Sequence, residues 1–131
     1  MGTRRTERLG NLIQAELADL LLKRVKDPRL VGMTLTGVDV SPDLSQARIF
    51  YSLLDAGRRS EVEAGFKAAA PFLRRELAAR LVLKTTPRLV LSYDPSLAQG
   101  AAMENLIRQA RQADRDLAQA RGDEPDGEEQ P

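Results

Sequence analysis

An α+β domain of three strands under a layer of helices is the fold class this sequence predicts, and three observations predict it. Two long stretches repeat apolar residues every three or four positions, the helical period, while three shorter ones alternate apolar and polar residues and favour β-formers. Strands and helices interleave along the chain, which sets helices against one sheet. The apolar inventory, 42% of 131 residues with three Phe, two Tyr and no Trp, suits a single modest aliphatic core.

Residues 6–25 place Leu9, Leu12, Ile13, Leu17, Leu20 and Leu21 along one side of a helix. Thr3 or Thr6 is its expected cap. Glu16 lies at the edge of the apolar stripe, where it needs a partner or water. Asp27-Pro28 closes the segment, because the residue before a proline is driven out of the α region. "MTLTGVDV" (33–40) reads as a strand, "SPDLS" (41–45) as turn chemistry, and "QARIFYSLL" (46–54) as a second strand with Ala47, Ile49, Tyr51 and Leu53 on one face. So short a connection makes the pair an antiparallel hairpin.

After "DAGRR", Ser60 and Glu63 match the S-x-x-E capping box of a helix start. Val62, Phe66, Ala69, Leu73, Leu77 and Leu81 then hold one stripe straight through Pro71. This predicts two helical segments on one core, with proline kinking their junction or opening the second. "TTPRLVLSYD" (85–94) is the third strand, with Pro87 at its start. A helical crossover makes it parallel to the second strand if the two are adjacent. Met103, Leu106, Ile107 and Ala110 mark a last helix. The expected organisation is a basic arm over 1–5, a domain over 6–96, a C-terminal helix over 97–121 and an acidic, disordered tail over 122–131.

The absences narrow the chemistry. With no Cys and no His, disulfides, thiolate metal sites, cysteine nucleophiles and the commonest general base are all missing. No catalytic residues, metal site or cofactor are expected. No apolar run approaches the roughly 20 residues that span a bilayer, so the expected location is cytoplasmic. The net charge of +1 conceals an asymmetry: "GDEPDGEEQP" holds five acids and no base, which leaves the body with 20 basic against 14 acidic residues. That surplus is concentrated in residues 1–29 and 58–88, as a polyanionic partner would favour.

The order helix, strand, strand, helix–kink–helix, strand resembles the type II KH-like topology. "ELADLLLKRVKDPRL" (16–30), "TLTGVDVSPDLSQARIFYSLL" (34–54), "APFLRREL" (70–77) and "PRLVLSYDPSLAQG" (87–100) resemble one family within it, ribosome-binding factor A. The resemblance implies a non-catalytic monomer that binds free small (30S) ribosomal subunits, contacts 16S rRNA, and supports late subunit maturation and 16S rRNA 5′-end processing. It also implies a link to growth in the cold and to ribosome-associated GTPases. The family's Ala-x-Gly kink aligns on Ala69, Ala70 and Pro71, so proline stands here where the family has glycine. That removes both a permissive backbone and an N–H that could bind phosphate.

The candidate RNA contacts are Lys67, Arg74, Arg75, Arg80, Lys84 and Arg88 around the second helix, and Arg4, Arg5 and Arg8 at the amino end. Arginine can grip phosphate in a bidentate fork. The bland reading of each is a solvated helix face or a frayed terminus; Arg74, bordering the stripe, could snorkel. Asp27 and Arg29 of "DPRL", and the "SPDLS" residues, read as turn chemistry. Phe50, Tyr51 and Tyr93 read as sheet packing in preference to base-stacking platforms. The rival functions are a general KH-like module for single-stranded RNA and a protein-interaction domain.

Overall fold

In the computed structural model, residues 4–122 are described. Helix α1 (Arg4–Lys23) leads through a short 3-10 turn at Pro28–Leu30 into strands β1 (Thr34–Val40) and β2 (Gln46–Ser52). Helix α2 (Arg59–Leu81), strand β3 (Arg88–Tyr93) and helix α3 (Ser96–Ala120) follow. The sheet order is β1-β2-β3, with β1 antiparallel to β2 and β3 parallel to it. Both relations are those expected of a two-strand hairpin followed by a helical crossover. The chain divides into two compact units, residues 1–98 and 99–131. The second unit is the body of α3, stitched locally by Gln112 donating to Asp116 at 2.9 Å and Arg115 donating to Gln112 at 3.0 Å.

The core of the first unit forms where one face of the sheet meets α1 and α2. Ile13, Leu17 and Leu20 come from α1, Phe66, Leu73 and Leu77 from α2, and Val40, Ala47 and Ile49 from the strands. Tyr51, Leu53 and Val62 extend it at one end. Alternation in β2 sorts the side chains: Ala47, Ile49 and Tyr51, and Leu53 just beyond the strand, are buried, while Arg48 is exposed. Each fully buried Leu or Ile contributes about 1.5–3 kcal/mol relative to exposure. Gly10 lets α1 approach the sheet, since a Cβ there would lie 2.6 Å from the Val38 carbonyl oxygen. Gly65 does the same against Arg29 and Leu30.

Several sequence expectations need correction. The arm over 1–5 is helical from Arg4 onward, and Thr6 is buried inside the helix instead of capping it; Thr3 lies outside the described residues. Ser60 and Glu63 form no capping box. A 3-10 turn at Ala56–Arg58 runs directly into α2, no side chain caps that helix, and Asp55 caps the turn by accepting from the Gly57 N–H at 2.9 Å. Glu63 is engaged instead by the Tyr51 hydroxyl at 2.6 Å.

The expected pair of helical segments is one helix, with Pro71 in its interior. Val62 and Phe66 before the proline, and Leu73 and Leu77 after it, are buried on the same core, and packing on both sides holds a helix that proline alone would break. The third strand begins at Arg88, not Thr85, because Pro87 has no N–H to give the ladder. The unit boundary falls after Ala98, two residues beyond the expected end of the domain. Of the acidic tail, residues 123–131 lie outside the described part.

Candidate nucleic-acid interface

Three stretches distant in sequence converge at one pole of the first unit. The first turns of α1 bring Arg4, Arg5 and Arg8; the β1–β2 loop brings Leu44; the α2–β3 loop brings Leu83. All five border a single pocket of about 510 Å³. The β1–β2 loop is built as the motif predicts: Asp43 accepts from the Ser41 hydroxyl, the Ser45 hydroxyl and the Ser45 N–H at 2.8–3.1 Å. Those bonds hold the Asp43 carboxyl below its usual pKa, the Ser45 hydroxyl contributing most. The Arg88 N–H donates to the Ser45 carbonyl at 2.9 Å, tying the start of β3 to this loop. Arg74 reaches across from α2 to the carbonyls of Thr86 and Pro87, at 3.1 and 3.3 Å.

Arg4, Arg5 and Arg8 border the pocket itself; Lys84 follows Leu83 in the chain, and Arg88, in register with Gln46, starts β3 on the sheet face turned away from α1 and α2. Lys84 and Arg88 are exposed, and neither side chain has an ion pair or hydrogen bond among the described residues. The Arg74 guanidinium braces the loop through the Thr86 and Pro87 carbonyls, where its place beside the stripe suggests a head reaching water. Arg75, on the outward side of α2, is exposed and equally unpaired among the described residues. Lys67 borders a groove of about 280 Å³ between α2 and β3, with Glu63, Phe66, Ala70, Leu89 and Leu91.

Arg80 stands apart from this set. Its Nη1 donates to Glu16 at 2.8 Å and to Asp19 at 3.0 Å, clamping α2 to α1. The Glu16 carboxylate first, then Asp19, raises the Arg80 pKa. Lys23 and Arg80 together hold Asp19 below the usual carboxylate value. Arg80 is thus a strut between helices, and Glu16 has the partner its place beside the stripe required. Asp27 and Arg29 are likewise structural: Asp27 caps the 3-10 turn through the Arg29 N–H at 3.0 Å and holds the Arg29 guanidinium at 2.7 Å.

Sequence reading missed Arg48. It lies on the sheet face turned away from α1 and α2, with Asp39 opposite it on β1 and Val90 on β3. The signal was available: a charged residue between buried Ala47 and Ile49 must point to the other face. Tyr51 and Tyr93 pack edge to face at 5.6 Å, and Arg59 lies 4.3 Å over the Tyr93 ring. Both rings are thereby committed to packing. Among the described residues no group of three or more carboxylates is placed to hold a metal ion, and no helix is long and apolar enough to cross a membrane.

Residues 5–107 match the family of ribosome-binding factor A. The chain belongs to that family. Ribosome-binding factor A of Dechloromonas aromatica is 41% identical over 109 residues, which cover 83% of this chain and 89% of the relative. Among solved structures, the Thermotoga maritima protein in solution matches with a TM-score of 0.63 at 27% identity, covering 70% of this chain and 89% of that one. A homology model of the Thermus thermophilus ribosome binding factor A, fitted into a cryo-EM map of its 30S complex, matches with a TM-score of 0.50 at 25% identity, covering 68% and 92%. The α+β architecture described above is thus the one shared by structures of this family, KH-like in its element order. Within it, the unbroken α2 through Pro71 leaves no glycine-rich loop between two helices to cradle a phosphate.

Proposed function

We propose that this protein binds the free small ribosomal subunit through its basic pole and the outward face of α2, and that it assists maturation by occupancy, without bond-making chemistry. The observation that carries this reading is the set of exposed cations Arg75, Lys84 and Arg88, unpaired among the described residues, on a member of a family with a relative fitted into a 30S complex. Phosphates of folded 16S rRNA suit such a surface, since each neutralised phosphate releases condensed counterions. Late subunit maturation, 5′-end processing of 16S rRNA, support of growth in the cold and release by a ribosome-associated GTPase complete the proposal. The factor acts as a monomer in the cytoplasm.

Sedimentation with purified subunits tests it. The protein comigrates with free small subunits and little with complete ribosomes. The variant carrying Arg75→Glu, Lys84→Glu and Arg88→Glu keeps its circular dichroism spectrum and loses most of that comigration. A wild-type chain that ignores small subunits at every salt concentration would overturn the proposal.

A further inference from the structure

We infer that the pocket at the basic pole takes one unstacked nucleotide of single-stranded RNA, so that contact with ribosomal RNA includes a strand segment as well as folded duplex. The inference rests on the small-subunit reading above and names the ligand of one part of that surface.

The rim of the pocket is electrostatically unfavourable as it stands. Arg4 and Arg8 are four residues apart and Arg5 and Arg8 three, so like charges face one another along one turn of α1. They also sit at the positive end of the helix dipole. All three are exposed, and none has an ion pair or hydrogen bond among the described residues. Glu7 is the acidic residue of that turn and pairs with none of them. A phosphate lying between the guanidiniums removes the repulsion and gains bidentate bonds. One turn of helix rises about 5.4 Å, so Arg4 and Arg8 can reach successive groups along an extended strand.

The floor specifies what accompanies the phosphate. Leu9, Leu12, Leu44 and Leu83 line it, and Leu12 remains 46% exposed, leaving apolar surface in water. A volume of about 510 Å³ accommodates a flat base. In a duplex the base faces are stacked inside and only their polar edges, with phosphates and sugars, reach the surface, so an apolar hollow can be filled only by a base that has left its stack. An acidic peptide fits less well. Among the described residues every polar side chain bordering the pocket is an arginine, which donates and cannot accept, so the amide N–H groups of a peptide laid across it meet no side-chain acceptor there. RNA brings acceptor oxygens to the same donors.

The test uses small subunits labelled with 4-thiouridine, the full chain, and mass spectrometry of the cross-linked peptides. Cross-links fall on the peptides holding Leu9, Leu12, Leu44 and Leu83. Leu12→Glu, at an exposed helical position, places a carboxylate in the hollow and weakens subunit binding roughly tenfold, through lost apolar contact with the base and repulsion of its phosphate. Leu44→Gly, which suits the left-handed backbone there (φ 62°), gives a smaller loss without added charge. Replacing Arg4, Arg5 and Arg8 by Gln lowers the salt slope of binding by about two, as three contacts to a single strand should. If wild type binds subunits while the pocket stays free of cross-links and Leu12→Glu binds as tightly, the pocket assignment is overturned and the small-subunit reading survives. Cross-linking of the pocket to a ribosomal protein also overturns it. Failure of wild type to bind subunits removes both.

Discussion

Tyr51 shows what a single residue commits. Its ring is fully buried beneath α2, and its hydroxyl donates to Glu63 at 2.6 Å. Burial first, and the Glu63 carboxylate second, push its pKa up to about 12 from 10.0. A folded pKa above the unfolded one means the contribution of Tyr51 is fully present below pH 10 and is lost as pH rises toward about 12. Unfolding followed by circular dichroism is therefore expected to show stability falling across that window. Tyr51→Phe flattens that alkaline limb and costs about 1 kcal/mol at neutral pH, one hydrogen bond whose acceptor still reaches Arg59 and water. Arg80 permits a second prediction at the same scale. Because its guanidinium is spent on Glu16 and Asp19, Arg80→Ala lowers the melting temperature but leaves subunit binding unchanged. Arg75→Ala does the reverse. Helical angle separates the two, since Arg75 lies across the helix from Leu73 while Arg80, seven residues after Leu73, returns to its side; what the sequence does not name is the partners of Arg80. Those partners lie 64 and 61 residues away in chain order, as two carboxylates on α1.

Among the elements, the stripe of α2 was legible because burial enforces a period, whereas the behaviour of Pro71 was not. The apolar register through Val62, Phe66, Leu73 and Leu77 gave the correct face and the correct core. Local chemistry alone asks for a break at proline, yet the core contacts on both sides outweigh one missing bond. Pro71→Ala restores that N–H at an exposed position, so it is expected to stabilise the fold by roughly 1–3 kcal/mol in denaturant titrations. A loss of stability would mean the ring, not the surrounding core, sets the course of the helix. The capping box failed for a related reason. S-x-x-E predicts a helix start only when the chain arrives extended, and here it arrives already turning through Ala56–Arg58. Gly10 was equally silent, because a close approach depends on what lies opposite. With the Val38 carbonyl where a Cβ would sit, Gly10→Ala should cost about 1–3 kcal/mol by forcing α1 off β1, read as a lower denaturation midpoint with an unchanged slope.

For the whole molecule, charge is legible in sequence only as a surplus; which cations are available to a partner depends on the fold. Lys23 pairs with Asp19 at 2.9 Å and Arg24 with Glu76 at 3.5 Å, and Arg24 also lies 5.6 Å over the Phe72 ring, so these two cations at the end of α1 are internally answered. Arg75, Lys84 and Arg88 have no such answer among the described residues. Phosphate contacts release counterions in proportion to the cations that make them, while paired surface cations release few. Replacing Arg75, Lys84 and Arg88 together by Gln should therefore lower the slope of log affinity against log salt by about two to three, each contact being worth 0.7–0.9. Replacing Lys23 and Arg24 by Gln removes nearly as much charge and should leave the slope where it was. The two variants differ little in net charge, so measuring subunit binding between about 50 and 200 mM salt distinguishes a located surface from a diffuse attraction. Equal losses of slope would mean that the basic pole has no privileged role and that the positive body as a whole attracts the ribosomal polyanion.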